Sequence, residues 1–336
     1  PVWAVTGAVA IVVGATAGRA VVAAGGLVMI RLAQIHLFEA SVPFHDGPFT
    51  PFVNGEFPAW ASPSVALVAA GLVVRWRSSW HGFASATLTV GAWAYAPVLA
   101  FELAAHFLED RATYGAARES LALAAAVAGL SVYGAALAVA VRGRSAWAMV
   151  VPLGPLAVSG LLALILVFPM ERPGYGMIGN AAFGAGLLYV AACWTCAWAS
   201  RRPLRLVLVV AAALAGLVLV AAECLAYGEH ADVAGTSREA LRRTAQVWLS
   251  VCASVYAAAL LVTGFVRRLP ALRWCGLLVF LLTLVKVFLV DMAQLPTAHR
   301  IGGFLVLGLL LLGASFLYQR ARRPTGSDAP PPASGA

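Results

Sequence analysis

The sequence predicts an all-α, polytopic integral membrane protein, and three observations support that class. Of the 336 residues, 62% are hydrophobic and only 11% are charged, and the mean hydropathy is +0.88. A soluble domain carries about 25% charged residues, so this composition excludes an ordinary water-soluble enzyme. The apolar residues form long unbroken runs and lack the alternation of a transmembrane β-barrel. Many of these runs approach the ~20 residues that a helix needs to cross the bilayer core.

Polar interruptions divide residues 1–323 into about eleven apolar segments, which we interpret as transmembrane helices. In chain order, the segments lie near residues 2–18, 20–38, 58–74, 82–108, 120–141, 146–168, 178–199, 204–227, 244–266, 272–291 and 301–319. The tail that follows, residues 324–336, is rich in Pro, Ser and Gly. Because such a segment cannot bury enough apolar surface, we predict that it is a disordered end of the chain.

The connectors between the segments alternate in charge. Every second connector is short and basic, while the remaining connectors and the helix ends beside them hold all but one of the 14 acidic residues. The basic set comprises Arg19, Arg75, Arg77, Arg142, Arg144, Arg201, Arg202, Arg205, Arg267, Arg268, Arg273, Arg320, Arg322 and Arg323. The positive-inside rule predicts that this set and the C-terminus face the cytoplasm. With the arginines spread over short loops beside phospholipid, the net charge of +9 does not indicate nucleic-acid binding.

Two parts of the chain also resemble each other, which predicts an internal repeat. Residues 131–139 match 254–262, and Asn-Gly-Glu-Phe at 54–57 matches Asn-Ala-Ala-Phe at 180–183. Each unit contains four helices, so its topology is preserved from one copy to the next and the repeat is parallel. The predicted units are residues 20–144 and 146–270, with a partial third unit at 272–323. The alternative is that helices rich in Ala, Leu and Val look alike by chance.

The last part of the chain carries a family resemblance. The run Arg273–Asp291, followed by His299-Arg300-Ile-Gly-Gly-Phe304 and Tyr318-Gln-Arg320, resembles the C-terminal end of the bacterial family called domain of unknown function 2339. The resemblance implies a multi-pass protein of the bacterial inner membrane with more than eleven spans. It therefore also implies that an N-terminal transmembrane portion of the same protein is missing here. The family carries no established reaction, so the resemblance identifies no catalytic residue.

Ionisable residues within spans are costly, by about 2.5–3.5 kcal/mol at mid-membrane, and are functional candidates for that reason. The fourth and the eighth helix each carry a stripe of such residues, and within each stripe the side chains share one face of that helix. The stripes are Glu102, His106 and Glu109, and Glu223, Tyr227 and His230. We predict that they line outward-facing cavities for proton exchange or for contact with a substrate headgroup. The alternative is that both stripes emerge into the interface where the helices end.

Two further groups are candidates. Lys286 on the tenth helix either pairs with another helix or extends to the interface, and Asp291 and Arg300 flank a short outer turn that they could clamp. The longest early outer loop holds His45, Asp46 and, near its end, Asn54. With its phenylalanines, this loop either binds a sugar or lipid headgroup or, as we favour, lies on the membrane surface.

These features favour a non-enzymatic protein that moves, binds or organises an amphiphilic component of the cell envelope. The alternative is a membrane-embedded transferase or hydrolase that acts on a lipid-linked substrate at the outer face. Such an enzyme would use Glu102, Glu223 or Asp46 as a general acid or base. A purely structural partner of another membrane complex is the third possibility. The sequence contains no H-E-x-x-H, Walker or Cys/His cluster motif, so we predict neither a metal site nor a cofactor.

Overall fold

The structure is a computed structural model and describes residues 2–40, 50–54, 57–109, 115–142, 146–167, 176, 178–201, 204–231, 235–291 and 312. In these ranges the chain forms ten α-helices and no β-strand, which confirms the all-α class. The helices are α1 (Val2–Thr16), α2 (Ala20–Ala40), α3 (Phe57–Arg77), α4 (His81–Glu109), α5 (Arg118–Ala140), α6 (Val150–Val167), α7 (Ala181–Ala199), α8 (Leu204–His230), α9 (Arg238–Val266) and α10 (Pro270–Lys286). Short 3₁₀ turns precede α5 and α6, and a π-helical turn, Val287–Asp291, follows α10.

Among the described residues, seven helices are long and apolar enough to cross a membrane: α3, α4, α5, α7, α8, α9 and the continuous segment Pro270–Val290. The apolar helices Val2–Thr16, Ala20–His36 and Val150–Leu166 are shorter. The eleventh predicted segment, near 301–319, lies outside the described residues apart from Leu312. The helices expose large apolar side chains such as Val21 and Val207, as expected of surfaces that contact lipid. The protein is therefore a multi-pass membrane protein.

The start of α9 differs from the prediction. The apolar run places it near residue 244, whereas the helix begins at Arg238. Ser237 caps the helix by accepting a hydrogen bond from the backbone N–H of Ala240 at 3.3 Å, and Glu239 suits the positive end of the helix dipole. Hydropathy therefore locates only the apolar part of this helix.

Helices α1 and α2 pack antiparallel, and small residues set their closest approach. A Cβ atom placed on Gly26 of α2 would lie 2.5 Å from the carbonyl oxygen of Gly7 in α1. The two backbones are therefore in direct contact, as in membrane helix pairs built on small residues.

The order of helix contacts recurs along the chain. Helix α1 packs against α2 and α3, α3 against α4, and α4 against α5. Four helices later, α5 packs against α6 and α7, α7 against α8, and α8 against α9. These contacts lie within residues 1–280, which form one compact unit. Of the second unit, residues 281–336, the structure describes 281–291 and Leu312.

Two tyrosines make matching hydrogen bonds between helices. The Tyr133 hydroxyl of α5 donates to the carbonyl oxygen of Ala92 in α4 at 3.1 Å, and the Tyr256 hydroxyl of α9 donates to that of Ala213 in α8 at 2.8 Å. We expect Tyr133→Phe and Tyr256→Phe each to destabilise the protein by about 0.6 kcal/mol. Thermal unfolding in one detergent measures both, and a large loss in only one variant would contradict the equivalence of the two bonds.

Candidate functional site

Glu102 is fully buried about two turns before the end of α4. Its Oε2 atom accepts two hydrogen bonds, one from the side-chain amide of Asn54 at 2.8 Å and one from the backbone N–H of Phe52 at 3.1 Å. The carboxylate therefore holds the segment before α3 against α4. We call Phe52, Asn54 and Glu102 the first clamp.

Glu223 makes the same contacts in α8, again about two turns before the helix end, and is 5% exposed. Its Oε1 atom accepts from the side-chain amide of Asn180 at 2.8 Å and from the backbone N–H of Ile178 at 2.9 Å. We call Ile178, Asn180 and Glu223 the second clamp. In both clamps a single carboxylate oxygen receives one side-chain donor and one main-chain donor.

The two asparagines also start the helices that follow them. Asn54 accepts a hydrogen bond from the backbone N–H of Phe57 at 2.7 Å, and Asn180 accepts from that of Phe183 at 2.8 Å. This is N-capping, in which a side-chain oxygen satisfies a free N–H of the first turn. Each asparagine thus uses its oxygen for its own helix and its nitrogen for a glutamate of the next helix.

The main-chain donors of the clamps have an unusual conformation. Phe52 has a φ of 64° and Ile178 a φ of 67°, in the left-handed region that costs a non-glycine residue roughly 1–2 kcal/mol. For β-branched Ile178 this is a genuine outlier. Such strain persists only where the surroundings enforce it, and it concentrates at functional or tightly constrained positions. Both clamps contain it at the matching residue.

A pair of substitutions at Ile178 isolates this strain, because its side chain is 62% exposed. Ile178→Gly removes the left-handed penalty and Ile178→Ala keeps it, so we expect the glycine variant to be the more stable by about 1 kcal/mol. Thermal unfolding of the two purified variants measures the difference. Equal stability, or a more stable alanine variant, would contradict a strained backbone at this residue.

The predicted site residues lie in different environments in the structure. Glu102 and Glu223 are buried within the protein, and Asn54, in the loop segment before α3, donates a hydrogen bond to Glu102. His106, Tyr227 and His230 are half-buried farther along their helices, and the His106 ring lies against Phe107. Lys286 is half-buried at the end of α10. The side chains of Glu109 and Asp291, and residues His45, Asp46 and Arg300, lie outside the described part of the chain.

Sequence reasoning missed three clamp residues, Phe52, Ile178 and Asn180. The repeated Asn-x-x-Phe motif could have identified Asn180, since asparagine ahead of an apolar run is an N-cap signal. No residue-type signal identifies Phe52 or Ile178.

A cavity of about 410 Å³ lies between α6, α7 and α8, and Glu223 is part of its wall. The other walls are almost entirely apolar and include Leu164, Phe183, Tyr189 and Leu219. This volume is within the range of small-molecule sites. The second clamp therefore places a carboxylate against an apolar pocket.

The opposite ends of the helices carry arginine and tryptophan. The Arg142 guanidinium lies 3.4 Å from the centre of the Trp198 ring, a cation–π contact. Arg205 and Arg267 line a second cavity, of about 760 Å³, together with Trp198. In the described part of the chain, no group of three His, Cys, Asp or Glu side chains could hold a metal ion.

Residues 1–321 match the family of predicted membrane proteins called DUF2339, a domain of unknown function. The chain belongs to this family. The match confirms the resemblance seen in the C-terminal residues and extends it to almost the whole chain. No curated protein and no solved structure matches the chain. The evidence for the function of this DUF2339 chain therefore comes from its own clamps and cavities.

Proposed function

We propose that this protein binds an amphiphilic component of the bacterial cell envelope and moves or organises it within the inner membrane. The observation that carries the proposal is the cavity between α6, α7 and α8, which has apolar walls and one buried carboxylate. Apolar walls accept a hydrocarbon chain, while Glu223 accepts hydrogen bonds from a polar end. An amphiphile combines these two chemistries.

We further propose that the chain consists of tandem four-helix units within eleven spans. Recurring helix contacts, two clamps with identical donors and two matching tyrosine bonds support the units. In this arrangement the first unit comprises α2 to α5 and the second comprises α6 to α9. Each clamp then lies at the same depth of its own unit, on the side away from the arginines.

The proposed orientation places the arginine-bearing ends in the cytoplasm, with the C-terminus, and both clamps toward the outside. We expect cysteines at exposed Gly115 and Gly235, in a variant lacking the five native cysteines, to react with an impermeant maleimide in intact cells. Cysteines at exposed Arg201 and Arg267 should react only after permeabilisation. The reverse pattern would overturn the orientation, and a mixed pattern would overturn the span count.

The alternative enzyme needs a carboxylate that reaches its substrate. Glu102 is covered by the segment that carries Asn54 and does not meet this requirement, whereas Glu223 lines a cavity. Of the two clamps, the second is therefore the one at which a transferase or hydrolase would act, while the third candidate, Asp46, lies outside the described residues. The two functions differ in one observable, since an enzyme changes its substrate covalently and a binding protein does not.

Lipid analysis separates the two functions. The protein is purified in mild detergent, and the bound lipids are extracted and identified by mass spectrometry. The protein is then placed in liposomes that contain the identified amphiphile. We expect a long-chain amphiphile to be enriched over the bulk membrane and to be recovered unchanged. A preparation without enriched amphiphile would contradict the binding function, and a chemically altered product would establish the enzyme.

A further inference from the structure

We infer that the ligand site belongs to the second unit alone, because two aromatic rings fill the equivalent space in the first. The ligand is one long alkyl or isoprenoid chain whose hydroxyl or amine end lies at Glu223. This inference rests on the proposed function and adds which unit binds and which chemical class is bound.

The clamps themselves define which residues correspond in α3 and α7. Trp60 stands at the same distance after Asn54 as Gly186 stands after Asn180. Trp60 is 6% exposed and occupies the space beside α4. Gly186 has no side chain and lines the cavity beside α8.

The same replacement occurs on the neighbouring helices. Phe101 directly precedes Glu102 in α4, and Ala222 directly precedes Glu223 in α8. Ala222 also lines the cavity. At both of these positions the second unit therefore has a small residue where the first unit has an aromatic ring.

In the first unit the two rings pack on each other. The centroids of Trp60 and Phe101 are 4.6 Å apart, and the ring planes meet at 77°, an edge-to-face geometry that stabilises aromatic pairs. The cavity of the second unit corresponds to the space that this pair fills. A repeat that had only a structural role would have no need to lose both rings together while keeping its clamp.

The walls and the carboxylate define the ligand. The cavity volume of about 410 Å³ lies near the lower end for small-molecule sites, which suits one chain better than a two-chain phospholipid. Within a bilayer, an apolar pocket gains little from excluding water, because lipid tails are equally apolar. Selectivity must therefore come from the polar end. In the second clamp Glu223 acts as a hydrogen-bond acceptor, so we infer that the polar end carries a donor, as a hydroxyl or amine does, and is not itself a carboxylate or phosphate.

Transplanting the first unit's residues into the second tests the site. A Cβ atom on Gly186 would lie 2.5 Å from Cδ1 of Leu219, and the residue corresponding to Leu219 in the first unit is the shorter Val98. The variant is therefore Gly186→Trp, Leu219→Val and Ala222→Phe together. The reciprocal variant, Trp60→Gly with Phe101→Ala, opens the first unit.

The probes are hexadecanol and hexadecanoic acid, each carrying a photoreactive diazirine, added to the full chain in nanodiscs. We expect the alcohol to label α6, α7 and α8 about tenfold more than the acid does. The triple variant should lose this labelling, and the reciprocal variant should gain alcohol labelling on α3 and α4. Glu223→Gln, which keeps one acceptor oxygen, should raise acid labelling to the level of the alcohol.

The outcomes separate this inference from the proposed function. If the wild type binds amphiphile but the alcohol labels the triple variant as strongly as the wild type, the proposed site is wrong and the proposed function stands. The same holds if the acid labels the wild type more strongly than the alcohol does. If the triple variant does not fold, Glu223→Gln and the reciprocal variant decide the question, and no change in either would overturn the inference. If neither probe labels the wild type and no amphiphile is purified with it, the proposed function fails as well.

Discussion

Replacing Glu102 with alanine is expected to destabilise the protein by about 3 kcal/mol or more, since each buried donor left unsatisfied costs about 1–3 kcal/mol. The two donors are the side-chain amide of Asn54 and the backbone N–H of Phe52, and both bind the same oxygen. Glu102→Gln keeps one carbonyl oxygen that can accept both bonds, so we expect a much smaller loss. Thermal unfolding and the yield of monodisperse protein measure the two variants.

The second clamp supplies the matched control. Glu223→Ala and Glu223→Gln should reproduce the same order of stabilities, because the donors and distances are equivalent. A Glu102→Ala variant as stable as the wild type would contradict the clamp. If Glu102→Gln were as unstable as Glu102→Ala, the negative charge and not the shared oxygen would hold the segment. A folded Glu223→Gln variant that binds amphiphiles but no longer prefers the alcohol over the acid would locate this selectivity in the carboxylate.

The second large effect is expected where α1 and α2 touch. Gly26→Leu must separate the two backbones, because its Cβ atom alone would lie 2.5 Å from the carbonyl oxygen of Gly7 and 2.9 Å from Cγ1 of Ile11. Backbone cannot move aside as a side chain can, so the loss should exceed the 1–3 kcal/mol typical of an overpacked core. Thermal unfolding and expression yield measure it.

Gly25→Leu is the adjacent control, because a Cβ atom at Gly25 has nothing within 4 Å. This variant should unfold at the wild-type temperature, since its new side chain extends away from α1. Equal losses from Gly25→Leu and Gly26→Leu would show a general cost of leucine in α2. Equal tolerance would mean that the α1–α2 contact is absent.

The sequence was sufficient to predict the ten helices of the described residues because the membrane imposes a simple rule, about 20 apolar residues per span. It was less informative where polar residues extend a helix beyond the apolar run, as Ser237 does at the start of α9. The family was also identifiable from the sequence, since its C-terminal pattern is specific.

The candidate site was predictable only in part. The spacing of the stripes identified Glu102 and Glu223, because an ionisable residue within an apolar run stands out by its cost. Their partners lie in the segments before α3 and α7, and the spacing of residues along one helix does not predict contacts with another segment of the chain. Neither Phe52 nor Ile178 is a residue type that favours the left-handed conformation, so the main-chain donors could not be predicted from the sequence. The exchange of Trp60 for Gly186 was visible in the repeat, but its meaning depends on how α6, α7 and α8 pack.

We propose that two equivalent clamps hold tandem units and that, of the two, only the second adjoins an amphiphile site. Electron cryomicroscopy of the protein in lipid nanodiscs measures this most directly. We expect Asn54 to contact Glu102 and Asn180 to contact Glu223. We also expect chain-like density between α6, α7 and α8 but none where Trp60 meets Phe101. Glutamates turned toward lipid, or density in the first unit and not the second, would contradict it.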